Sequence, residues 1–349
     1  GTDFVMRKEV LAVGCALMVF CGCGKNNAAQ HYESGWAAME KKDYTTAVNE
    51  FQQVIDQNSR LAESYRAEGI AYYSEKAYPE AIAAFSRSLN NMDDPDKEFK
   101  KDVQFYLAQA RMDYGEVDKA IEVYSEILKA GEDEQAFFLR GKAYISMEDY
   151  KNAEKDFQRA LEGCEDYNLY INIYQIYVDH NKAVDGDAYL KMALELEPQD
   201  GEDCYHRGRI YEYEKNYEAA RDELKTAMEQ GYEDAMLLLG RVYLEMEDPA
   251  SARSMYQEYL QKSEQGAKAY NGLAMCDIYD GAYDSALENI AQGLKENSKE
   301  DEQGLLYNEI VAYEYKRDFA TAKEKMKIYL EQYPEDEAAL RENEFLSTR

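Results

Sequence analysis

The chain has 349 residues, and its 40 Lys and Arg against 70 Asp and Glu give a formal net charge of −30. This acidity argues against a nucleic-acid partner, because binding to a duplex depends on Lys and Arg that neutralise phosphates. With 45% hydrophobic residues, 32 Tyr and only 5 Pro, the composition is typical of a folded, mainly helical protein rather than of a disordered acidic chain.

The first segment of the chain differs from the rest. A basic stretch at residues 6–8 precedes an apolar run at residues 10–20. This order is typical of an export signal, and the run is shorter than the ~18 residues of a membrane-spanning helix. The run leads to Gly22 and Cys23, and a small residue before such a Cys resembles the lipobox of bacterial lipoproteins.

The lipobox resemblance implies cleavage before Cys23 and attachment of a diacylglycerol to its thiol. We therefore expect a signal peptide over residues 1–22, then the lipidated Cys23 and a short linker to residue 30. The mature protein is expected in the bacterial cell envelope, lipid-anchored on the extracytoplasmic face of a membrane. An uncleaved membrane anchor and a simple secretion signal are the alternatives.

Small residues recur through the remaining chain at intervals of 32 to 39 residues. We call these positions the markers: Ala47, Ala81, Ala120, Ala153, Gly186, Ala220, Ala252, Ala286 and Ala322. The position twelve residues before a marker is mostly Gly or Ala, and the position eight residues after it is always apolar. Small residues on two adjacent helices let their axes approach closely, so the pattern predicts a chain of helix pairs.

A period of about 34 residues resembles that of the tetratricopeptide repeat family. The resemblance implies an all-α fold, a right-handed superhelical solenoid of about nine repeats over residues 28–336. A capping helix and tail are expected over residues 337–349. Length alone suggests two domains, but the continuous repeat pattern predicts one solenoid instead.

The turns within the repeats carry residues that begin helices. Asp43, Asp149 and Asn216 are expected to cap second helices, and Pro79 and Pro249 fall in the first turn of such helices. Repeat five departs from the pattern because Gly186 replaces the usual Ala and Tyr174 replaces a small residue. We expect this repeat to pack loosely or to have a shifted second helix.

No residue pattern indicates catalysis or metal binding. His31, His180 and His206 have no Glu or Cys partner at ligand spacing, and no phosphate-loop, hydrolase or zinc-protease motif occurs. Cys164 and Cys204 lie far apart, as does Cys276, and all three are interpreted as small buried hydrophobes. We therefore predict a non-enzymatic protein with no catalytic residue, metal or cofactor.

The family resemblance implies a ligand groove lined by the first helix of each repeat. Helical periodicity turns the residue after the small position of that helix inward, and this ladder is polar to basic in its middle. The predicted partner-binding residues are Lys142, Gln175, Arg209 and Arg241, with Phe138, Tyr205 and Tyr213 beside them.

Two interpretations of the basic groove remain open. Its cations suit an anionic partner group such as a peptide carboxylate, an acidic side chain or an anionic glycan. Alternatively, they pair with carboxylates of the groove itself and only offset self-repulsion. The carboxylates in question are Asp179, Glu212, Asp234 and Glu245.

Two functional classes are consistent with these features. The favoured one is a membrane-tethered extracytoplasmic scaffold that binds a protein or peptide partner in its groove. The other is a solute- or glycan-capturing lipoprotein that serves a transporter, and it ranks lower because the chain has almost no long insertions between repeats. A cytoplasmic peptide-sensing regulator would need a DNA-binding domain, which residues 1–27 cannot supply.

Overall fold

A computed structural model describes residues 27–94 and 96–349, which form nineteen α-helices and no strand. The chain divides into two compact units, the first ending at Asp187 and the second running from Ala188 to Arg349. Within each unit the helices pack in chain order, each against the next, from α1 to α8 and from α11 to α19. The predicted all-α stack of helix pairs is confirmed.

The described part of the first unit contains nine complete helices and the start of α10. They are α1 (Asn27–Glu40), α2 (Tyr44–Asp56), α3 (Leu61–Ser74), α4 (Tyr78–Asn90), α5 (Lys97–Tyr114), α6 (Val117–Ala130), α7 (Glu134–Ser146), α8 (Tyr150–Ala160), α9 (Tyr167–Asp179) and α10 (Ala183–Leu194). The helix α1 begins inside the segment predicted as a linker to residue 30, because Ala28, Ala29 and Gln30 are good helix formers.

The second unit contains the rest of α10 and nine further helices. They are α11 (Gly201–Tyr213), α12 (Tyr217–Glu229), α13 (Ala235–Glu245), α14 (Pro249–Lys262), α15 (Ala267–Tyr279), α16 (Tyr283–Leu294), α17 (Lys299–Tyr315), α18 (Phe319–Gln332) and α19 (Glu337–Ser347). The last of these is the predicted capping helix, and its Ala339 and Leu346 are buried. Within the described ranges, no helix is both long and apolar enough to cross a bilayer.

Every second helix of a repeat begins three residues before its marker. Repeat five follows the same register, since α10 begins at Ala183 and its marker is Gly186. The expectation of a shifted second helix is therefore wrong. A Cβ on Gly186 would lie only 2.9 Å from the Cβ of Tyr177 on α9, so glycine replaces the usual Ala because the two helices approach closely there.

Close contact between the two helices of a repeat also explains the small residue on the first helix. A Cβ added to Gly35 would lie 2.5 Å from the ring of Phe51, and one added to Gly141 would lie 2.7 Å from the ring of Phe157. These rings are fully buried. A larger residue on the first helix would therefore push apart the core of the repeat.

One backbone conformation recurs in the turns between paired helices. The residue two positions before each second helix is left-handed, with φ between 58° and 89°. The nine residues are Lys42, Lys76, Gly115, Glu148, Asn181, Lys215, Glu247, Gly281 and Arg317. This conformation turns the chain sharply, so that the next helix starts antiparallel to the one before.

The predicted helix caps are present. Asp43, Asp149 and Asn216 each accept a hydrogen bond from the backbone N–H of the residue three positions later. Pro79 and Pro249 occupy the first turns of α4 and α14, where a missing N–H breaks no helical hydrogen bond. The side chains of Asp248, Asp318 and Asp336 cap α14, α18 and α19 in the same way.

Candidate partner-binding groove

The predicted groove residues of the first unit are half-buried on α7 and α9. Phe138 packs its ring 6.1 Å from that of Phe157, so it contributes to the core as well as to the surface. Lys142 forms no ion pair with any residue that the structure describes. Gln175 lies one repeat further along, also half-buried.

The second unit contains an open groove of about 970 Å³. Its walls come from α11, α13, α14 and α15 and from the start of α17, and we call it the unit 2 groove. Its aromatic and apolar lining residues include Tyr205, Leu237, Tyr256 and Met275, and its charged ones are Asp234, Arg241, Glu264, Lys268, Glu296, Glu300 and Asp301. Tyr205 and Arg241, both predicted from the sequence, therefore lie in one groove, whereas Arg209 and Tyr213 do not line it.

Arg241 is bound by a carboxylate of the neighbouring repeat. Its Nε donates to Glu212 Oε2 at 2.9 Å, and its Nη2 donates to Glu212 Oε1 at 2.6 Å. These hydrogen bonds raise the pKa of Arg241 above its ordinary value. The geometry favours internal pairing at this position, because a two-point pair leaves little net charge to attract an anion.

The side chains around Tyr205 of α11 form a small polar and aromatic cluster, to which Tyr232 contributes from the segment before α13. The Tyr205 ring centroid lies 5.3 Å from that of His206 and 5.0 Å from that of Tyr232. Arg209 Nη1 lies 3.1 Å from His206 Nδ1, and Tyr213, at the end of the helix, is 38% exposed. Burial raises the pKa of Tyr205, while Arg209 lowers it and Asp234 raises it further.

The carboxylates of the unit 2 groove have different partners. Glu296 accepts hydrogen bonds from the backbone N–H groups of Gly266 and Ala267 at 2.9 and 2.7 Å, which caps the start of α15. Glu300 accepts a hydrogen bond from Lys268 Nζ at 3.2 Å. The two cations that line the groove are thus both paired with acidic side chains.

Sequence periodicity missed the residues at the amino-terminal ends of the inner helices. Lys268 and Asn271 lie on α15 one to two turns before Met275, which occupies the same register as Arg241. Asn271 Oδ1 accepts a hydrogen bond from Asn308 Nδ2 of α17 at 2.7 Å. Both side chains could be predicted from the inward position of Met275. Asn271 and Lys268 lie four and seven residues before it, and those spacings place side chains on the same helix face.

The cysteines of the described region do not form a site. Cys164, Cys204 and Cys276 are free thiols, and the last two are buried. Burial raises the pKa of Cys276 to about 11. Within residues 27–94 and 96–349, no group of His, Cys, Asp and Glu is arranged to hold a metal ion. Cys23, the predicted lipidation site, lies outside the described residues.

Solved structures similar to this chain include two that are described as tetratricopeptide repeat proteins. A tetratricopeptide repeat protein from Parabacteroides merdae is 16% identical with a TM-score of 0.44, and the match covers 82% of this chain and 99% of that one. Yeast Tom70 is 15% identical with a TM-score of 0.49, covering 88% and 78%. YrrB, described as a TPR protein with an unusual peptide-binding site, is 26% identical with a TM-score of 0.36, covering 54% and 97%.

Family comparisons agree with the observed helix pairs. One profile described as a tetratricopeptide repeat matches residues 32–96, 205–267 and 237–302, and a second one with the same description matches residues 134–166. No curated protein matches the sequence significantly. The two profiles together cover more than half of the chain, which therefore belongs to the tetratricopeptide repeat family of protein–protein interaction scaffolds.

Proposed function

We propose that this protein is a membrane-tethered extracytoplasmic scaffold that holds a segment of a protein partner in the unit 2 groove. The observation that carries the proposal is the groove itself, about 970 Å³ lined by aromatic, amide and charged side chains. Its volume lies near the upper end of ligand pockets, which span about 300 to 1,000 Å³. Family proteins are generally non-enzymatic, which agrees with a binding role.

The groove has the chemical variety that an extended peptide requires. The Met275 side chain is 41% exposed and offers an adaptable apolar contact. Asn271 carries an amide, whose donor and acceptor suit a peptide backbone. Tyr205 adds a half-buried aromatic surface. Asn271 and Met275 lie on α15, and Tyr205 lies on α11 two repeats earlier, so a segment that crosses successive repeats could contact all three.

The tether rests on the sequence of the first segment. The basic residues 6–8, the apolar run 10–20 and the pair Gly22 and Cys23 occur in the order of a lipoprotein signal. The first described helix begins at Asn27, only four residues after Cys23. Lipidation of Cys23 would therefore hold the repeats close to the membrane.

The groove proposal is tested by photo-crosslinking in cells that express the full chain. A photoreactive amino acid at Met275 is expected to give a discrete adduct with a partner protein. The matched control is Ile328 on α18, which is 59% exposed but lies outside the groove. Equal adduct yields from the two positions would remove the groove from the proposal.

The tether is tested by metabolic labelling with a clickable fatty acid in a bacterial host. We expect label on the wild type and on Cys21→Ala, and none on Cys23→Ala. Undiminished labelling of Cys23→Ala would show that this thiol is not the acceptor. Fractionation of the same cells then reports whether the unlabelled variant leaves the membrane.

A further inference from the structure

The charge that the unit 2 groove offers to a ligand is negative. Arg241 is engaged by Glu212 through two hydrogen bonds of 2.9 and 2.6 Å, and Lys268 is engaged by Glu300 at 3.2 Å. Both cations of the lining are therefore largely neutralised. The sequence alone is consistent with either an anionic partner or internal pairing, because it does not show which carboxylate each cation contacts.

Four of the five carboxylates in the lining pair with no cation among the described residues. Two of these, Glu296 and Asp301, accept hydrogen bonds from backbone N–H groups and from Ser298 Oγ, which leaves the other two for a ligand. Asp234 and Glu264 form no ion pair with any residue in the described ranges. Asp234 occupies the position before α13, where an Asp usually caps the helix, yet its side chain makes no capping hydrogen bond. Its carboxylate therefore remains available to a ligand.

Aromatic and soft apolar groups lie within reach of these carboxylates. Asp234 lies close enough to Tyr205 for its negative charge to raise the pKa of the Tyr205 phenol. Both side chains line the groove together with Met275 and Glu264. Lys and Arg suit such a surface, because their aliphatic stems pack on apolar and aromatic groups while their charged ends reach carboxylates. The same surface would repel an acidic segment within a molecule of net charge −30.

We propose that the unit 2 groove binds a basic segment of its protein partner, with Lys or Arg side chains directed at Asp234 and Glu264. This inference rests on the proposed function, because it specifies the occupant of the same groove. Its physical basis is charge complementarity, which favours a cationic segment and disfavours an anionic one.

The test measures binding of three fluorescein-labelled peptides to the full chain in an uncharged detergent by fluorescence anisotropy. The peptides have equal lengths and identical apolar positions, and their other positions are all Lys, all Gln or all Glu. We expect the Lys peptide to bind about tenfold or more tightly than the Gln peptide, and the Glu peptide to bind most weakly. The Lys preference should shrink at high salt.

Matched variants separate the groove from the general acidity of the chain. Asp234→Asn with Glu264→Gln should weaken binding of the Lys peptide about three- to tenfold and leave the Gln peptide unchanged. Glu229→Gln with Glu288→Gln removes the same charge from exposed positions on the second helices α12 and α16, and should leave both affinities unchanged.

Several results would overturn the inference. Equal affinity for the Lys and Gln peptides, tighter binding of the Glu peptide, or equal losses in both double variants would each do so. A specific crosslink at Met275 with no Lys preference would refute only the basic character of the partner. Absence of both the crosslink and peptide binding would refute the groove function itself.

Discussion

Arg140 on α7 and Asp156 on α8 are joined by two parallel hydrogen bonds, from the guanidinium Nε and Nη2 to the two carboxylate oxygens, each 2.8 Å long. Asp156 is only 4% exposed. The remaining terminal nitrogen, Nη1, donates to Ser125 Oγ of α6 at 3.1 Å. One guanidinium therefore connects three successive helices of the first unit.

Removing the acidic partner should strongly destabilise the first unit. Asp156→Ala leaves the guanidinium of Arg140 partly buried without a counter-charge, and we expect a loss of about 3 to 5 kcal/mol in the free energy of unfolding. Urea unfolding monitored by circular dichroism measures it. The control Glu126→Ala breaks an exposed pair with Lys129 and should leave the free energy of unfolding almost unchanged, because solvent screens exposed pairs. Equal losses for the two variants would contradict the assigned role of burial.

Glu68 should make stability depend on pH near neutrality. Its carboxyl is 4% exposed, its Oε2 receives no hydrogen bond within the described residues, and burial raises its pKa from 4.5 to about 7 against the opposing effect of Arg87. The unfolded chain therefore releases this proton first as pH rises. The stability that the protonated Glu68 side chain contributes is fully present below about pH 4.5. This contribution is lost as the pH rises from there to about 7.

Glu68→Gln should remove this pH dependence. Relative to the wild type, the variant should gain about 2 to 3 kcal/mol in unfolding free energy between about pH 4.5 and about pH 8. Urea titrations across that range provide the measurement. Glu75→Gln, at an exposed position just after the same helix, should show no such trend. A parallel pH profile for wild type and Glu68→Gln would exclude Glu68 as the source.

The close contact between the two helices of a repeat predicts a compensated double substitution. Gly141→Ala places a Cβ 2.7 Å from the Phe157 ring, and we expect a cost of about 1 to 3 kcal/mol despite the better helix propensity of Ala. Adding Phe157→Ile reproduces the pair Ala274 and Ile290 of another repeat, where both residues are buried. The second change should restore part of the lost stability in thermal unfolding. Further loss in the double variant would argue against a steric cause.

The left-handed turn position should accept glycine with a gain in stability. Lys215 has φ of 58°, a conformation that is sterically costly for a residue with a Cβ. We expect Lys215→Gly to raise the free energy of unfolding by up to about 1 kcal/mol. Lys225→Gly, inside the exposed face of α12, should lower it by about 1 kcal/mol. The same sign for both substitutions would show that conformation does not decide the effect.

The fold could be predicted from the sequence because its signal repeats. Each marker constrains only a close helix contact, but many markers in one register define where all the second helices begin. Repeat five is the exception, because Gly186 stands where the other repeats have Ala and so predicts an irregular helix pair that the structure does not have. The nearby Tyr177 on α9 leaves too little space for a Cβ there. A departure from the usual residue can therefore preserve the geometry.

The electrostatics of the groove could not be predicted in the same way. Periodicity placed Arg241 on the inner face, but its partner Glu212 belongs to the preceding repeat and is one of 70 acidic residues. Which carboxylate meets which cation depends on how the side chains extend between repeats. Asp234 shows the reverse case, since its sequence position resembles a helix cap but its side chain makes no capping bond.

The aspartates at the helix starts give the protein a second sensitivity, to acid. Hydrogen bonds from Thr46, Ser251 and Thr321 hold the pKa values of Asp43, Asp248 and Asp318 below 3.8. Because these folded pKa values are depressed, the contribution of the caps is present above about pH 3.8 and is lost as pH falls through them. Strong acid would therefore weaken helix caps in both units over the same pH range. The acid stability of the protein should then depend on many capped turns together and not on a single site.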